Sequence, residues 1–120
     1  RGLGDVYKRQ AMDEALLKRA MAIVEKNMDN IEFSTDEFAR EMNMSRSNLH
    51  LKLKAITGES TIDFIRKIRF NEAAKLLKDG RYTVAEVSTM VGFNTPSYFA
   101  TSFKKYFGCL PTEYIKKSKG

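Results

Sequence analysis

The sequence predicts an all-α fold of about seven helices, arranged as two helix-turn-helix subdomains joined by a long linker helix. Three observations lead to this prediction. The 120 residues include only two Pro and seven Gly, while residue types that favour helices are abundant. No stretch alternates apolar and polar residues over the length of a strand. One pattern occurs twice along the chain, and a chain of this length forms one compact domain or two small subdomains at most.

A scaffold helix is the first element that the periodicity predicts. Residues 1–10, RGLGDVYKRQ, show no helical periodicity and resemble translated sequencing-adapter read-through, so we expect a non-native or disordered leader. From residue 11 onward, apolar residues recur at the spacing of one helical face. They are Leu16, Leu17, Ala20, Ile23, Val24 and Met28. This helix opens a first subdomain over residues 11–60.

The repeated pattern begins with a short capped helix. FSTDEFAREMNMS at 33–45 matches YTVAEVSTMVGFN at 82–94. Ser34 and Thr83 are N-cap residue types, and each has a Glu three positions later that can return a hydrogen bond, which is the capping-box arrangement. The sequence therefore predicts a short helix at the same place in each copy.

Turn residues and a second, longer helix follow in both copies. In the first copy the short helix is predicted to end near Asn43, and Ser45 is predicted to cap the next helix. In the second copy the short helix is predicted to end near Gly92, and Asn94 or Thr95 is predicted to cap the helix that begins at Pro96. Asn and Gly tolerate the left-handed conformation that closes a helix, and Pro suits a first helical position. The longer helices are expected to run to Gly58 and Gly108. This order of elements is the helix-turn-helix motif.

Residues 61–80 predict the linker helix, and residues 81–120 predict the second subdomain. The apolar residues expected to face inward are Ile65, Ile68, Ala73, Leu76 and Leu77. Arg69 falls on or beside this stripe, so we expect a structural role, in which it extends to solvent or pairs with a carboxylate, in preference to DNA contact. A final short helix is expected to begin at Pro111.

Charge is distributed unevenly along the chain. The net charge is +6, with an isoelectric point of about 9.5. Residues 11–44 hold four basic and eight acidic residues, net −4, whereas residues 45–120 hold fourteen basic and six acidic residues, net +8. This asymmetry favours a basic face for a polyanion, although a solvated surface also produces some imbalance.

Several classes of protein are excluded by composition. The lone Cys109 cannot form an internal disulfide, and one Cys with one His cannot supply a zinc site, so we expect a packed thiol in a reducing compartment. No apolar run approaches the ~20 residues of a membrane span, and no secretory signal is present, which predicts a soluble fragment. His50 has no motif partner and no Gly-rich phosphate loop exists. We therefore expect no enzyme, cofactor, metal or small-molecule site.

The motifs of the second copy carry a family resemblance. VGF at 91–93, SYF at 97–99 and FKKYFG at 103–108, followed by PTEY, resemble the DNA-binding domain of AraC-type transcription regulators, with a match over nearly all of residues 12–117. MSRSNLHLKLKAITG and AIVEKNMDN are most similar to versions at the C-terminus of bacterial hybrid two-component sensors.

The resemblance implies a function and partners. It implies sequence-specific binding of double-stranded DNA by a bacterial transcription regulator, with two recognition helices in successive major grooves. An upstream sensor or effector domain, RNA polymerase as a further partner and a cytoplasmic, nucleoid-associated location follow from it. A full-length hybrid sensor would be attached to the membrane.

Three positions depart from the family pattern. Thr61 stands where Pro often starts the linker helix, and Leu110 replaces the usual Ser or Thr cap before the last helix. Both changes should weaken a helix start. Leu51 stands where Arg is common in the first recognition helix, so a DNA contact through that Arg is not expected here.

The two recognition helices supply the candidate contacts. The base-edge candidates are Arg46, Ser47, Asn48 and His50 in the first helix and Thr95, Ser97, Tyr98 and Thr101 in the second. The phosphate candidates are Lys52, Lys54, Ser102, Lys104 and Lys105. Arg pairs bidentately with guanine and Asn with adenine, and flanking phosphates would repel the carboxylates that the first helix lacks. The second helix is less charged, which indicates weaker base readout.

Alternative interpretations compete with DNA contact. Tyr98 and Tyr106 would then only pack, His50 would only cover the surface, and the lysines would only keep the protein soluble. A helical protein-interaction module predicts a contiguous exposed apolar patch and salt-insensitive association. RNA binding is disfavoured, because single-strand recognition usually uses aromatic residues on a sheet or basic repeats.

Overall fold

The computed structural model describes residues 3–119, and within this range the chain forms seven α-helices and no strand. The helices are α1 (Leu3–Lys26), α2 (Thr35–Glu41), α3 (Arg46–Thr57), α4 (Thr61–Asp79), α5 (Val84–Met90), α6 (Pro96–Phe107) and α7 (Pro111–Lys119). The predicted all-α fold is confirmed. None of the described helices is long and apolar enough to cross a membrane.

The chain divides into two compact units. The first contains α1, α2, α3 and the beginning of α4, up to Ile65, and the second contains the segment Asn27–Glu32 and the chain from Arg66 onward. The division falls within α4. The functional subdomains predicted at 11–60, 61–80 and 81–120 stay a prediction.

The start of α1 differs from the expectation for the leader. Helix α1 begins at Leu3, so residues 3–10 are helical where a disordered leader was one alternative. Extending a helix that already exists fixes one residue for each added hydrogen bond and needs no apolar stripe, which is why periodicity did not predict this part. The native or non-native origin of residues 1–10 stays a prediction, and residues 1 and 2 lie outside the described residues.

An aromatic core holds the first unit together. Phe38 of α2 is fully buried, with its ring centroid 5.8 Å from that of Phe33 and 6.0 Å from that of Phe64. Leu49 and Leu53 supply the buried face of α3. Burial of one apolar stripe per helix leaves the opposite face of α3 in solvent.

The first motif has the predicted caps and turn. Ser34 Oγ accepts a hydrogen bond from the backbone N–H of Glu37 at the start of α2. Ser45 Oγ accepts one from the backbone N–H of Asn48 at the start of α3. Between these helices Asn43 adopts a positive φ of 57°, and Gly58 ends α3 at φ 78°. These are the conformations that Asn and Gly tolerate best.

The second motif repeats these features and completes the capping box. Thr83 Oγ1 accepts from the backbone N–H of Glu86, whose carboxylate accepts from the backbone N–H of Thr83 at 2.8 Å. In the first motif the described structure contains only the bond to the Ser34 hydroxyl, so the return bond predicted for Glu37 is not formed and that half of the capping-box prediction is wrong. Thr95 caps α6, in which Pro takes the first position, and Gly108 ends α6 at φ 83°.

Phe70 of α4 lies at the centre of the second core, a position that the helical periodicity did not predict. Its ring centroid lies 5.4 Å from Phe93 and 6.3 Å from Phe103. The buried members of this core are Phe70, Ala73, Leu77, Val87, Val91, Phe93, Phe99 and Phe103. Since Phe99 and Phe103 are both fully buried, they fix the face that α6 turns inward.

Arg69 has a structural role, as expected, but in the described structure it is buried and bonds backbone carbonyls, so it neither extends to solvent nor pairs with a carboxylate. Its Nη1 donates to the carbonyl of Gly92 at 3.3 Å, and its Nη2 donates to those of Asn30 and Asn27 at 3.0 and 3.4 Å. Burial lowers the pKa of this guanidinium. The side chain thereby ties α4 to the Asn27–Glu32 segment and to the turn between α5 and α6.

Other residues support the two helix starts that were expected to be weak. Ser60 Oγ accepts from the backbone N–H of Asp63 at 3.2 Å, which caps α4 one residue before Thr61. Glu113 Oε1 accepts from the backbone N–H of Leu110 at 3.0 Å, so the return bond of a capping box is present without the cap hydroxyl.

Candidate nucleic-acid interface

The first part of the candidate interface is the exposed face of α3. Its base-edge candidates are Arg46, Ser47, Asn48 and His50, and the structure exposes all of them. Arg46, His50 and Lys54 recur every four residues and so follow one line along the helix. With Leu49 and Leu53 buried on the other side, this line has no role in the core.

A surface groove of about 500 Å³ runs beside this face within the first unit. Its lining consists of Thr35, Arg46, Ser47, Leu49, His50, Leu51, Ser60, Thr61 and Ile62, which include no carboxylate. Leu51 is 64% exposed in this groove. The resemblance described above implies Arg at this position, so the groove presents an aliphatic side chain where the resemblance implies a cation.

Arg46 has a partner that the sequence did not predict. Its Nη1 lies 3.3 Å from Oδ1 of Asp36, the second residue of α2. An acidic residue in a first helical turn is already explained by the helix dipole, so the sequence contained no separate signal for this ion pair. The turn between α2 and α3 places the two side chains together.

The second part of the candidate interface is the exposed face of α6. The base-edge candidates Thr95, Ser97, Tyr98 and Thr101 are all exposed. Among the phosphate candidates, Lys52, Lys54, Lys104 and Lys105 are exposed, and Ser102 is half-buried. The fully buried Phe99 and Phe103 explain the exposure of the α6 residues, because they place the polar side of α6 towards solvent.

Two hydroxyl groups on α6 already have hydrogen-bond partners within the protein. Thr95 Oγ1 accepts from the backbone N–H of Tyr98 at 3.1 Å, and Thr101 Oγ1 donates to the carbonyl of Ser97 at 3.0 Å. The hydroxyl of Thr101 therefore has only acceptor capacity left, while that of Thr95 keeps its proton to donate. These bonds restrict which base or phosphate groups each residue could meet.

The two tyrosines pack against the core and remain accessible. The Tyr98 ring lies 5.6 Å from Phe93 and is 53% exposed. The Tyr106 ring stacks on Phe70 at 5.0 Å and is also exposed. Packing thus accounts for one side of each ring and leaves the other side available.

The structure brings each set of candidates together on its own helix. The α3 set lies in the first unit and the α6 set in the second. Among residues 3–119 no group of three or more His, Cys, Asp or Glu side chains is arranged to hold a metal ion. Cys109 is buried. The chemistry that these faces offer is hydrogen bonding and positive charge.

Comparison with known proteins identifies a family match over most of the chain. Residues 38–117 match the family model described as Helix-turn-helix domain. A protein named Histidine kinase P4, from Formosa agariphila, is 40% identical over 104 residues, which are 87% of this chain and 8% of that protein. The HTH-type transcriptional regulator MtrA of Neisseria gonorrhoeae is 32% identical over 83% of this chain and 34% of its own length.

A solved structure supports the same relationship. The C-terminal domain of AraT, a response regulator from Geobacillus stearothermophilus, superposes with a TM-score of 0.79 at 30% sequence identity. The superposition covers 85% of this chain and 84% of that chain. This chain spans well under half the length of the two relatives named above, so it corresponds to one part of such proteins.

Proposed function

Because the chain belongs to the AraC-type helix-turn-helix family of transcription regulator DNA-binding domains, we propose that it binds double-stranded DNA sequence-specifically through α3 and α6. The single observation that carries this proposal is the composition of their exposed faces. Neither helix contains an Asp or Glu. The exposed side chains of α3 include hydroxyl, amide and basic groups, those of α6 include hydroxyl and basic groups, and both helices bury apolar residues on the other side. A helix that lies between two rows of phosphates requires this combination.

The candidate residues of the two helices divide into those that would contact base edges and those that would contact phosphates. At the start of α3, Arg46 and Asn48 are the residue types that make bidentate contacts with guanine and adenine. On α6 the exposed Ser97 and Tyr98 offer weaker, conditional contacts, while Lys104 and Lys105 at its far end meet phosphates. We therefore assign more of the base selectivity to α3 and more of the anchoring to α6.

Two motifs in one chain favour a non-palindromic site. In two-fold symmetric dimers, helix-turn-helix half-sites lie about 34 Å apart, one turn of DNA. In this chain both recognition helices belong to the same molecule, so they enter successive major grooves on one DNA face without a second copy. The DNA site would then lack the two-fold symmetry that dimers require.

The full-length protein is expected to carry a signal-receiving part. Similarity to a protein named as a histidine kinase and to the C-terminal domain of a response regulator supports placement downstream of a sensor or effector domain. In that setting the domain acts in the bacterial cytoplasm on the nucleoid, with RNA polymerase as a further partner, and it carries no catalytic activity of its own. A hybrid sensor would anchor it to the membrane.

Selection from a randomised pool of duplexes tests the proposal. The 120-residue chain is incubated with the pool, bound DNA is recovered over several rounds, and the enriched sequences are aligned. We expect one non-palindromic consensus with two conserved blocks about one helical turn apart. A chain that is folded by circular dichroism but enriches no sequence would contradict the proposal and favour a protein-interaction module.

A further inference from the structure

A carboxylate lies beside the positively charged start of α3. Arg46 is the first residue of α3 and contacts Asp36 of α2 through the 3.3 Å ion pair described above. Both side chains face solvent, with 67% of the Arg46 side chain and 60% of the Asp36 side chain exposed. The pair therefore lies on the surface at the residue that is assigned to base reading.

Folding stability does not explain this pair. An exposed ion pair contributes little to stability, because water screens it and ordering two side chains has an entropic cost. A cation at a helix N-terminus is also unfavourable with the helix dipole, and the first turn of α3 contains no acidic residue to offset it. The pair instead influences where the guanidinium of Arg46 lies.

A free Arg46 would have two kinds of anionic or polar partner on DNA. Its planar guanidinium has five N–H donors, which match either a guanine edge or a phosphate. Phosphates are present on every duplex, whereas a suitably placed guanine is present only on the correct one. When Asp36 pairs with the guanidinium near Nη1, the other donors stay available, and the attraction to the carboxylate competes with attraction to a phosphate.

Resting on the function proposed above, we propose that Asp36 is a positioning residue that directs Arg46 towards a base edge and so sets the selectivity of α3. On the correct site the ion pair already favours one orientation of the side chain, which lowers the entropic cost of the contact. On an incorrect site Asp36 either keeps Arg46 from the phosphates or is left unpaired near them. Selectivity increases because the incorrect site is penalised.

Replacing the carboxylate alone tests this inference. The wild-type chain, Asp36→Asn and the control Glu37→Gln are titrated with the preferred duplex from selection and with a scrambled duplex, at two salt concentrations. Glu37 is the next residue of α2, is exposed and undergoes the same charge change, and within the described residues it has no ion pair with Arg46. Circular dichroism establishes that each variant is folded.

The expected result is a loss of selectivity with a gain in general affinity. Asp36→Asn should lower Kd for the scrambled duplex more than for the preferred one. The ratio of the Kd for the scrambled duplex to that for the preferred duplex should therefore fall roughly three- to tenfold, which is part of the selectivity that a bidentate Arg contributes. The salt slope on the scrambled duplex should steepen by about one, because the released Arg46 neutralises a further phosphate. Glu37→Gln should leave the ratio unchanged.

A second arm assigns the effect to Arg46. In an Arg46→Ala background, Asp36→Asn should not alter the Kd ratio, since no guanidinium remains to be positioned. The inference is overturned if Asp36→Asn keeps the wild-type ratio, or if it changes the ratio equally in both backgrounds. If the wild-type chain prefers no duplex at all, the proposed function itself fails, and this outcome is visible before any variant is compared.

Discussion

Arg46 is the residue at which selective reading of DNA can be tested most simply. It is exposed at the start of α3 and is the strongest bidentate donor there. We expect Arg46→Ala to cost about 1 to 3 kcal/mol on the preferred duplex and to relax selectivity at one or two base pairs. Fluorescence anisotropy titrations on preferred and scrambled duplexes measure this. An equal loss on both duplexes would contradict base reading by Arg46.

Lys105 should behave differently because it lies near the other end of its recognition helix. It is exposed in the last turn of α6, where a flexible ammonium group meets phosphate more readily than a base edge. Lys105→Ala should weaken binding to all duplexes alike and reduce the salt slope by about one. A selective loss on the preferred duplex alone would assign Lys105 to base reading.

At the scale of single residues, exposure and helix caps were predictable from the sequence, whereas contacts between distant side chains were not. Ser45 and Thr95 cap α3 and α6 as expected, because an N-cap depends only on a few neighbouring residues. The pairing of Asp36 with Arg46 and the bonds from Arg69 to backbone carbonyls depend on the path of the chain between helices. No local pattern encodes such contacts, so they required the structure.

Among the glycines that the structure describes, Gly92 in the turn between α5 and α6 is the one at which an added Cβ would meet other atoms. Gly92 has φ +79°, and a Cβ there would lie 2.6 Å from the carbonyl oxygen of Met28 and 2.9 Å from Arg69 Cζ. Gly92→Ala should destabilise the protein by more than the roughly 1–3 kcal/mol expected for a strained φ alone, because backbone must also move. Urea unfolding followed by circular dichroism at 222 nm measures the loss.

Gly108 provides the matched control for this prediction. It has φ +83° in the same unit, but a Cβ there would meet nothing within 4 Å. Gly108→Ala should therefore show only the cost of the left-handed conformation. If the two variants lose equal stability, the close approach of Met28 and Arg69 to Gly92 has no energetic consequence.

Helix positions were largely predictable, because residues that cap or end helices stand at the helix boundaries. The positive φ angles at Asn43 and Gly58 fall where the turn residues predicted them. The supports of α4 and α7 were not predicted. Ser60 caps α4 directly before Thr61, and Glu113 accepts the return bond at the start of α7, where Leu110 has no cap hydroxyl. The accepting side chains in both bonds belong to residues other than Thr61 and Leu110, two of the positions at which the chain departs from the family pattern.

For the molecule as a whole, the uneven charge predicts a strong dependence of DNA affinity on salt. The net charge of +8 in residues 45–120 comes from fourteen basic and six acidic residues. If some five to eight phosphates are neutralised, log affinity should fall against log salt concentration with a slope of roughly −5 to −7. Titrations at four or more salt concentrations give this slope. A flat response would favour the protein-interaction alternative.

The family was predictable from the sequence because its motifs combine structural and surface residues. The resemblance to AraC-type domains depended on segments such as VGF at 91–93 and FKKYFG at 103–108, and it is confirmed by the family match. Phe93 and Phe103 of these segments lie in the core of the second unit. The DNA sequence that is read depends instead on a few exposed side chains, which the fold leaves free to vary.

The most direct test of the central claim, that one chain reads DNA with two recognition helices, is hydroxyl-radical footprinting on the selected duplex. The account predicts two protected patches about one helical turn apart on one DNA face, at a stoichiometry of one chain per duplex. Protection confined to a single groove, or binding that requires a symmetric dimer, would contradict it.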